Sequence, residues 1–202
     1  MCMKSLKIFI AFAVLLVSTA CSGSTKEPQY NMEKGKALIV FFSHVGENYA
    51  VGNIEVGNTK IVVDYIQEQT GADVFEIVAE KNYDMPYSEL IKVARAEKDN
   101  HELPAFKGAV DNIDRYDTVF IGGPIWWGTY PQVMFTFFKR YNLNGKKLIP
   151  FTTHEGSGLG STVKDVKKQY PEATVTGAFS IYGHEVRTEK AKVQQWLKGL
   201  GY

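Results

Sequence analysis

The apolar positions of this chain fall into a regular alternation of short continuous runs and longer periodic stretches. Residues 37–42, Ala37-Leu38-Ile39-Val40-Phe41-Phe42, are uninterrupted and β-rich, as a strand covered on both faces requires. Residues 59–70 follow at helical spacing, with Ile61/Tyr65 and Val62/Ile66 as pairs, and Gly71 supplies a C-terminal stop. A second strand is expected over 73–78 and a helix over 88–98. A third strand, 118–121, runs into Gly122-Gly123-Pro124. Pro131 suits a first helical turn, and the helix it opens, 131–141, puts Val133, Phe137 and Phe138 on one side. A strand over 147–152, a helix over 161–170 and a strand over 178–182 come next. The last helix, 187–200, carries Val193, Trp196, Leu197 and Leu200 at i, i+3, i+4 and i+7.

Strict strand–helix alternation implies a parallel sheet with helices on both faces, and right-handed crossovers leave few ways to connect it. The expectation is one α/β domain over 36–202: a three-layer, doubly wound sandwich around a five-stranded parallel sheet. No second domain and no repeat array is visible.

The first 35 residues differ from the rest. Lys4 and Lys7 precede an apolar run, 8–17, and then Ser18-Thr19-Ala20-Cys21. A positive start, a short apolar stretch and small residues predict a signal peptide over 1–20. Ten apolar residues are too few for a lasting span, which takes about 20. Cys21 after small residues resembles a bacterial lipobox, although Ser18 stands where Leu is usual. The expectation is an exported protein of the bacterial cell envelope, held to a membrane by a lipid on Cys21; a soluble exported chain cut near Ala20 is the alternative. Residues 21–35, polar and without apolar period, read as a tether.

Composition and charge narrow the function. Net charge is +1, and Lys4 and Lys7 are the only charges before Cys21, so the chain from Cys21 onward carries −1. Without a basic run it lacks the footprint of a nucleic-acid binder. Cys2 and Cys21 are the only cysteines, so the domain holds no disulfide and no thiolate metal site.

In sheets of this kind ligands bind beyond the carboxyl ends of the strands. The loop after the first strand offers Ser43 and Val45, then Gly57-Asn58-Thr59 at a helix start, where amides and the helix dipole favour an anion. No lysine follows in P-loop spacing, so a phosphate monoester fits better than a nucleoside triphosphate. The loop after the third strand, Pro124-Ile125-Trp126-Trp127-Gly128, puts two of three tryptophans in one turn, a candidate wall for a flat aromatic ligand. The loop after the fourth strand, Thr153-His154-Glu155-Gly156-Ser157-Gly158, can approach a ring edge with backbone and polar groups. Glu155 breaks a G-x-S-x-G elbow at Ser157, and His154-Glu155 lacks the second histidine of a zinc motif.

Taken in order, these three loops resemble those of flavodoxins: a Ser/Gly/Asn/Thr phosphate loop, a tryptophan loop beside the isoalloxazine ring, and a third flavin loop. The resemblance covers 36–202 and implies the sheet order 2-1-3-4-5 and one bound FMN. It implies phosphate held at Gly57, Asn58 and Thr59, closed by Ser43 and Val45. The ring would lie among Pro124, Ile125, Trp126, Trp127, Gly128, Thr153, His154, Gly156 and Gly158, with no catalytic residue and no metal. The chain departs from the family in a long first loop, 15 residues between Ser43 and Thr59, where Val51-Gly52-Asn53-Ile54 nearly echoes Val56-Gly57-Asn58-Thr59. Electron transfer with a redox partner protein or a small-molecule acceptor is the role implied. An NAD(P)H-dependent reductase of quinones or similar acceptors and an anchored binding domain without cofactor are the alternatives.

Overall fold

The computed structural model describes residues 36–202. The predicted signal peptide, the tether and Cys21 lie outside the described residues. The strands are β1 (Ala37–Phe41), β2 (Gly46–Asn48), β3 (Gly52–Ile54), β4 (Asp73–Glu76), β5 (Val78–Ala79), β6 (Phe106–Lys107), β7 (Thr118–Pro124), β8 (Lys147–His154), β9 (Thr174–Val175) and β10 (Phe179–Tyr182). The helices are α1 (Asn58–Thr70), α2 (Tyr87–Asp99), α3 (Gln132–Arg140), α4 (Thr162–Gln169) and α5 (Lys190–Gly199).

The main sheet runs β4-β1-β7-β8-β10, all parallel, which is the order 2-1-3-4-5 counted over its long strands. Side chains alternate across it as the pleat requires. Leu38, Val40, Val119 and Ile121 face one core with residues of α2, α3 and α4. Ile39, Phe41, Phe120, Ile149 and Phe151 face a second core with α1 and α5. These two apolar layers sandwich the sheet, and both drive its formation through burial.

Several elements differ from expectation in ways that bear on the site. The third strand, expected over 118–121, continues through Gly122 and Gly123 to Pro124. A Cβ at Gly122 would lie 2.0 Å from the Phe151 ring, and one at Gly123 2.9 Å from Tyr130. These glycines admit neighbouring rings. The second strand splits: β4 ends at Glu76, and β5 leaves the main sheet to pair with β6. The fifth position is also split, β9 and β10 pairing with opposite ends of β8 around Gly177, whose φ is +60°. The last helix starts at Lys190, after a 3-10 turn at Gly183–Glu185. The long first loop is an antiparallel hairpin, β2–β3, with Glu47 opposite Asn53.

Candidate functional site

The three strand-end loops meet at one edge of the sheet and are laced together there. Ile125 N–H donates to the Thr153 carbonyl at 3.0 Å. The hydroxyls of Thr59 and Thr153 share a buried 2.8 Å bond. Ser161 donates from both its amide and its hydroxyl to the Gly128 carbonyl, at 2.8 and 3.2 Å. Between the loops lies a cavity of about 500 Å³.

At one end of it stands the N-terminus of α1. Gly57 caps the helix and is buried against the end of β1: a Cβ there would lie 2.2 Å from Ser43 Oγ and 2.6 Å from the His44 carbonyl. Ser43 Oγ in turn accepts the Lys60 amide at 3.1 Å, and Gly57 O accepts that of Ile61 at 3.3 Å. The amides of Asn58 and Thr59, in the first turn, have no partner within the helix. Both residues line the cavity.

Sequence reasoning missed Arg187. Its guanidinium donates to Asn58 Oδ1 at 2.9 Å and to the Val56 carbonyl at 3.0 Å. Its only sequence signal is a lone arginine just beyond the last strand, 129 residues from its partner.

The tryptophan loop is a two-residue hairpin. Trp126 and Thr129 bridge, and Trp127 and Gly128 both have positive φ, +52° and +84°. The right-handed twist of the chain favours this turn, but it normally uses Asn-Gly, so Trp127 sits in a strained left-handed conformation. The two indoles do different things. Trp126 packs edge-on against Phe42, His44 and Tyr83 at 5.5, 5.7 and 5.2 Å and lines the cavity. Trp127 leaves the loop for α2: its indole N–H donates to the Ile91 carbonyl at 2.8 Å, and Arg95 stands 4.9 Å from its ring. Trp127 is nevertheless 43% exposed, at the cavity wall.

Beneath Trp126, Tyr83 O–H contacts both oxygens of Glu97, which is 1% exposed and paired with Lys81 at 2.6 Å. Burial, then Glu97, pushes the Tyr83 phenol well above its ordinary range.

In the third loop, Thr153, His154, Glu155 and Ser157 line the cavity. Gly156 N–H donates to His154 Nδ1 at 2.9 Å, and the His154 ring lies 4.5 Å from that of Tyr182. Partial burial holds the His154 pKa below the usual 6.5. Glu155 accepts from both the amide and the ring of His184, at 2.9 and 2.6 Å.

Of the residues singled out in sequence, Asn58, Thr59, Pro124, Ile125, Trp126, Trp127, Gly128, Thr153 and His154 border the cavity. Ser43 and Gly57 shape it from behind, through the contacts just described. Val45, 48% exposed, and Gly156 and Gly158 are not part of its lining. Of the two Val-Gly-Asn copies, the second opens α1 and the first forms β3. The hairpin contributes Tyr49 and Val51, and α2 contributes Tyr87, Leu90, Ile91 and Ala94, none of them anticipated.

A family profile described as flavodoxin matches residues 36–200. The chain belongs to the flavodoxin family. Among solved structures, this flavodoxin-family chain is similar to two proteins assigned as flavoproteins. One, from Bacteroides eggerthii DSM 20697, is 27% identical at a TM-score of 0.63, over 83% of this chain and 98% of that one. The other, from Bacteroides uniformis ATCC 8492, is 26% identical at 0.66, over 81% and 98%. A flavoprotein from Lactobacillus acidophilus NCFM, solved in complex with FMN, shares the fold at 19% identity and a TM-score of 0.58, over 80% and 98%. No curated protein matches the chain.

Proposed function

We propose that the chain binds one FMN in this cavity and transfers electrons through it. One observation carries the reading: a single cavity is lined by Asn58 and Thr59 of the first turn of α1, by Trp126, and by Thr153 and His154. Anion donors, a flat wall and a polar edge in one space match a phosphorylated planar cofactor in size and chemistry. The similarity to an FMN-complexed flavoprotein supports the same reading.

In this reading the first turn of α1 holds the phosphate, and Arg187 adds positive charge beside it while fixing Asn58. Trp126 walls the ring on a rigid aromatic base of Phe42 and Tyr83. Thr153 and His154 present hydrogen-bonding groups to its polar edge. Bound FMN supplies one- and two-electron chemistry that these side chains do not. The chain from Cys21 onward is nearly neutral, which provides little steering toward a charged partner. That favours an acceptor recognised by shape.

The experiment is an absorption spectrum of the full chain after incubation with excess FMN and desalting. An oxidised-flavin spectrum with about one FMN retained per chain is expected. A chain that stays colourless overturns the reading and leaves a binding domain without cofactor.

Export and lipid attachment at Cys21 belong to the same proposal and rest on the leader pattern alone. Metabolic labelling of the bacterial chain with an alkyne fatty acid is expected to tag the wild type and not Cys21→Ala. Equal labelling of the two, or none of either, counts against the anchor.

A further inference from the structure

The hairpin that carries Trp126 is held from two sides. Toward α2, the Trp127 indole N–H donates to the Ile91 carbonyl at 2.8 Å, and Lys98 Nζ donates to the Trp127 carbonyl. Toward α4, the Ser161 amide donates to the Gly128 carbonyl at 2.8 Å. Gly160 brings that backbone in close: its φ is +51°, and a Cβ there would lie 2.3 Å from the Gly128 oxygen. The turn between these ties is strained. Trp127 stands at φ +52°, a conformation that persists in a residue with a Cβ only where its neighbours enforce it.

One carboxylate gathers the α4 side together. Asp165, in the first turn of α4, accepts the Thr129 hydroxyl on Oδ2 at 2.7 Å. The Ser161 hydroxyl lies 2.6 Å from the same oxygen, nearer than its 3.2 Å contact with the Gly128 carbonyl. Thr129 is 5% exposed, and among the described residues its hydroxyl has no other partner. A buried hydroxyl left without an acceptor is strongly unfavourable, so Thr129 stays where Asp165 can reach it. Thr129 passes that position straight to Trp126, because the two exchange backbone bonds. Trp126 N–H donates to the Thr129 carbonyl at 2.9 Å, and Thr129 N–H to the Trp126 carbonyl at 3.3 Å. Trp126 lines the cavity, which neither Asp165 nor Thr129 touches.

We propose that Asp165 is a positioning residue for the aromatic wall of the cavity, a proposal that rests on the FMN reading above. It acts through Thr129 and Ser161 to keep the Trp126–Thr129 hairpin in its strained turn, and so sets where the Trp126 indole stands. The residue type follows from the task. One carboxylate oxygen has lone pairs for two hydroxyl donors at once. Hydrogen bonds to an ionised acceptor are short and strong, in keeping with the 2.6 and 2.7 Å distances. Phe42, His44 and Tyr83 back the indole by ring contacts, whereas the turn beside it is registered against α4 through this carboxylate. Removing the carboxylate releases the α4 side of the turn. The strain at Trp127 then relaxes by moving the hairpin that carries Trp126.

The test compares Asp165→Ala with Asp165→Asn in the full chain. FMN affinity is measured by equilibrium titration at a temperature where urea curves show each protein to be folded. Asp165→Ala is expected to weaken FMN binding about tenfold and to change the near-ultraviolet circular dichroism of the flavin-free chain, which reports its indoles. Asp165→Asn keeps an oxygen acceptor and is expected to restore most of both. Thr129→Val cuts one link and leaves Asp165 bonded to Ser161, so it is expected to weaken FMN binding too. Adding Asp165→Ala to it should then weaken binding less than in the wild type. Unchanged affinity or unchanged dichroism in Asp165→Ala overturns the proposal, as does Asp165→Asn as defective as Asp165→Ala, or full additivity with Thr129→Val. If Asp165→Ala does not fold, Thr129→Val decides alone, and wild-type affinity and dichroism in it overturn the proposal. A wild type that retains no FMN sinks the cofactor reading, and the dichroism of the flavin-free variants still decides whether Asp165 positions the indole.

Discussion

Arg187 donates to Asn58 Oδ1 at 2.9 Å and to the Val56 carbonyl at 3.0 Å, so one guanidinium spans Gly57 at the head of α1. The bond to Oδ1 fixes which way the Asn58 amide faces. Gly183 completes the fit, since a Cβ there would lie 2.4 Å from Asn58 Nδ2 and 2.7 Å from Glu155 Oε1. A phosphate group arriving at the first turn of α1 thus meets a positioned asparagine and a nearby positive charge.

Arg187→Ala is expected to weaken FMN binding about tenfold while leaving riboflavin binding unchanged, because only FMN brings the dianion. Arg187→Lys is expected to recover part of the difference through charge alone, without the two-pronged geometry. Paired equilibrium titrations with the two flavins measure this. An equal loss for both would mean that Arg187 only holds the loop.

The alternation of elements was legible because burial on two faces leaves continuous apolar runs, as in Leu38-Ile39-Val40-Phe41, and one-sided burial leaves the period seen around Val193 and Leu197. The β2–β3 hairpin was not, because Gly46-Glu47-Asn48 and Gly52-Asn53-Ile54 have no apolar alternation and face little core. Its order comes from tertiary bonds, Glu47 to Tyr87 and His44 to Tyr83, which no local pattern announces. The strand-end loops could be located by topology, and with them Thr59, Trp126 and Thr153. Tyr49 and Tyr87 reach the cavity, and Arg187 contacts its lining residue Asn58, from elements without a family motif. The end of the third strand was not legible, since Gly122 lacks a side chain because the Phe151 ring presses on it and not because the strand stops there.

Trp127 holds φ +52° in a turn that prefers asparagine, a strain of about 1–3 kcal/mol. Trp127→Asn relieves it but removes the indole bond to Ile91 and the contact with Arg95. The opposing effects are expected to leave unfolding free energy within about 1 kcal/mol of wild type. Ligand binding in the cavity is expected to fall. Chemical denaturation and flavin titration on the same samples check both halves; a large stability loss would make Trp127 a packing residue first.

Glu97 is a carboxylate buried to 1% exposure, shared between Tyr83 and the half-exposed Lys81. Glu97→Ala strands the Tyr83 hydroxyl under Trp126 and opens a gap. A loss of about 2–4 kcal/mol is expected by urea denaturation. Glu97→Gln keeps an acceptor for Tyr83 and should cost less. Because Tyr83 supports Trp126 at 5.2 Å, FMN affinity should fall in the alanine variant even where it remains folded. Unchanged affinity would separate this network from the site.

His154 titrates below 6.5, so near neutrality it is uncharged and its Nδ1 accepts from Gly156. The unfolded chain binds the proton more readily than the folded one. The contribution of this group to stability is therefore complete above about pH 6.5 and is lost as pH falls from there through the lower folded value. Protonation at Nδ1 also removes the acceptor that holds the turn after Glu155. Flavin affinity is expected to decline as pH falls below 6.5 in the wild type and to decline less in His154→Gln, whose side chain does not titrate. Titrations from pH 5 to 8, with circular dichroism to confirm folding, decide it: parallel profiles for the two proteins would assign the pH dependence to another group.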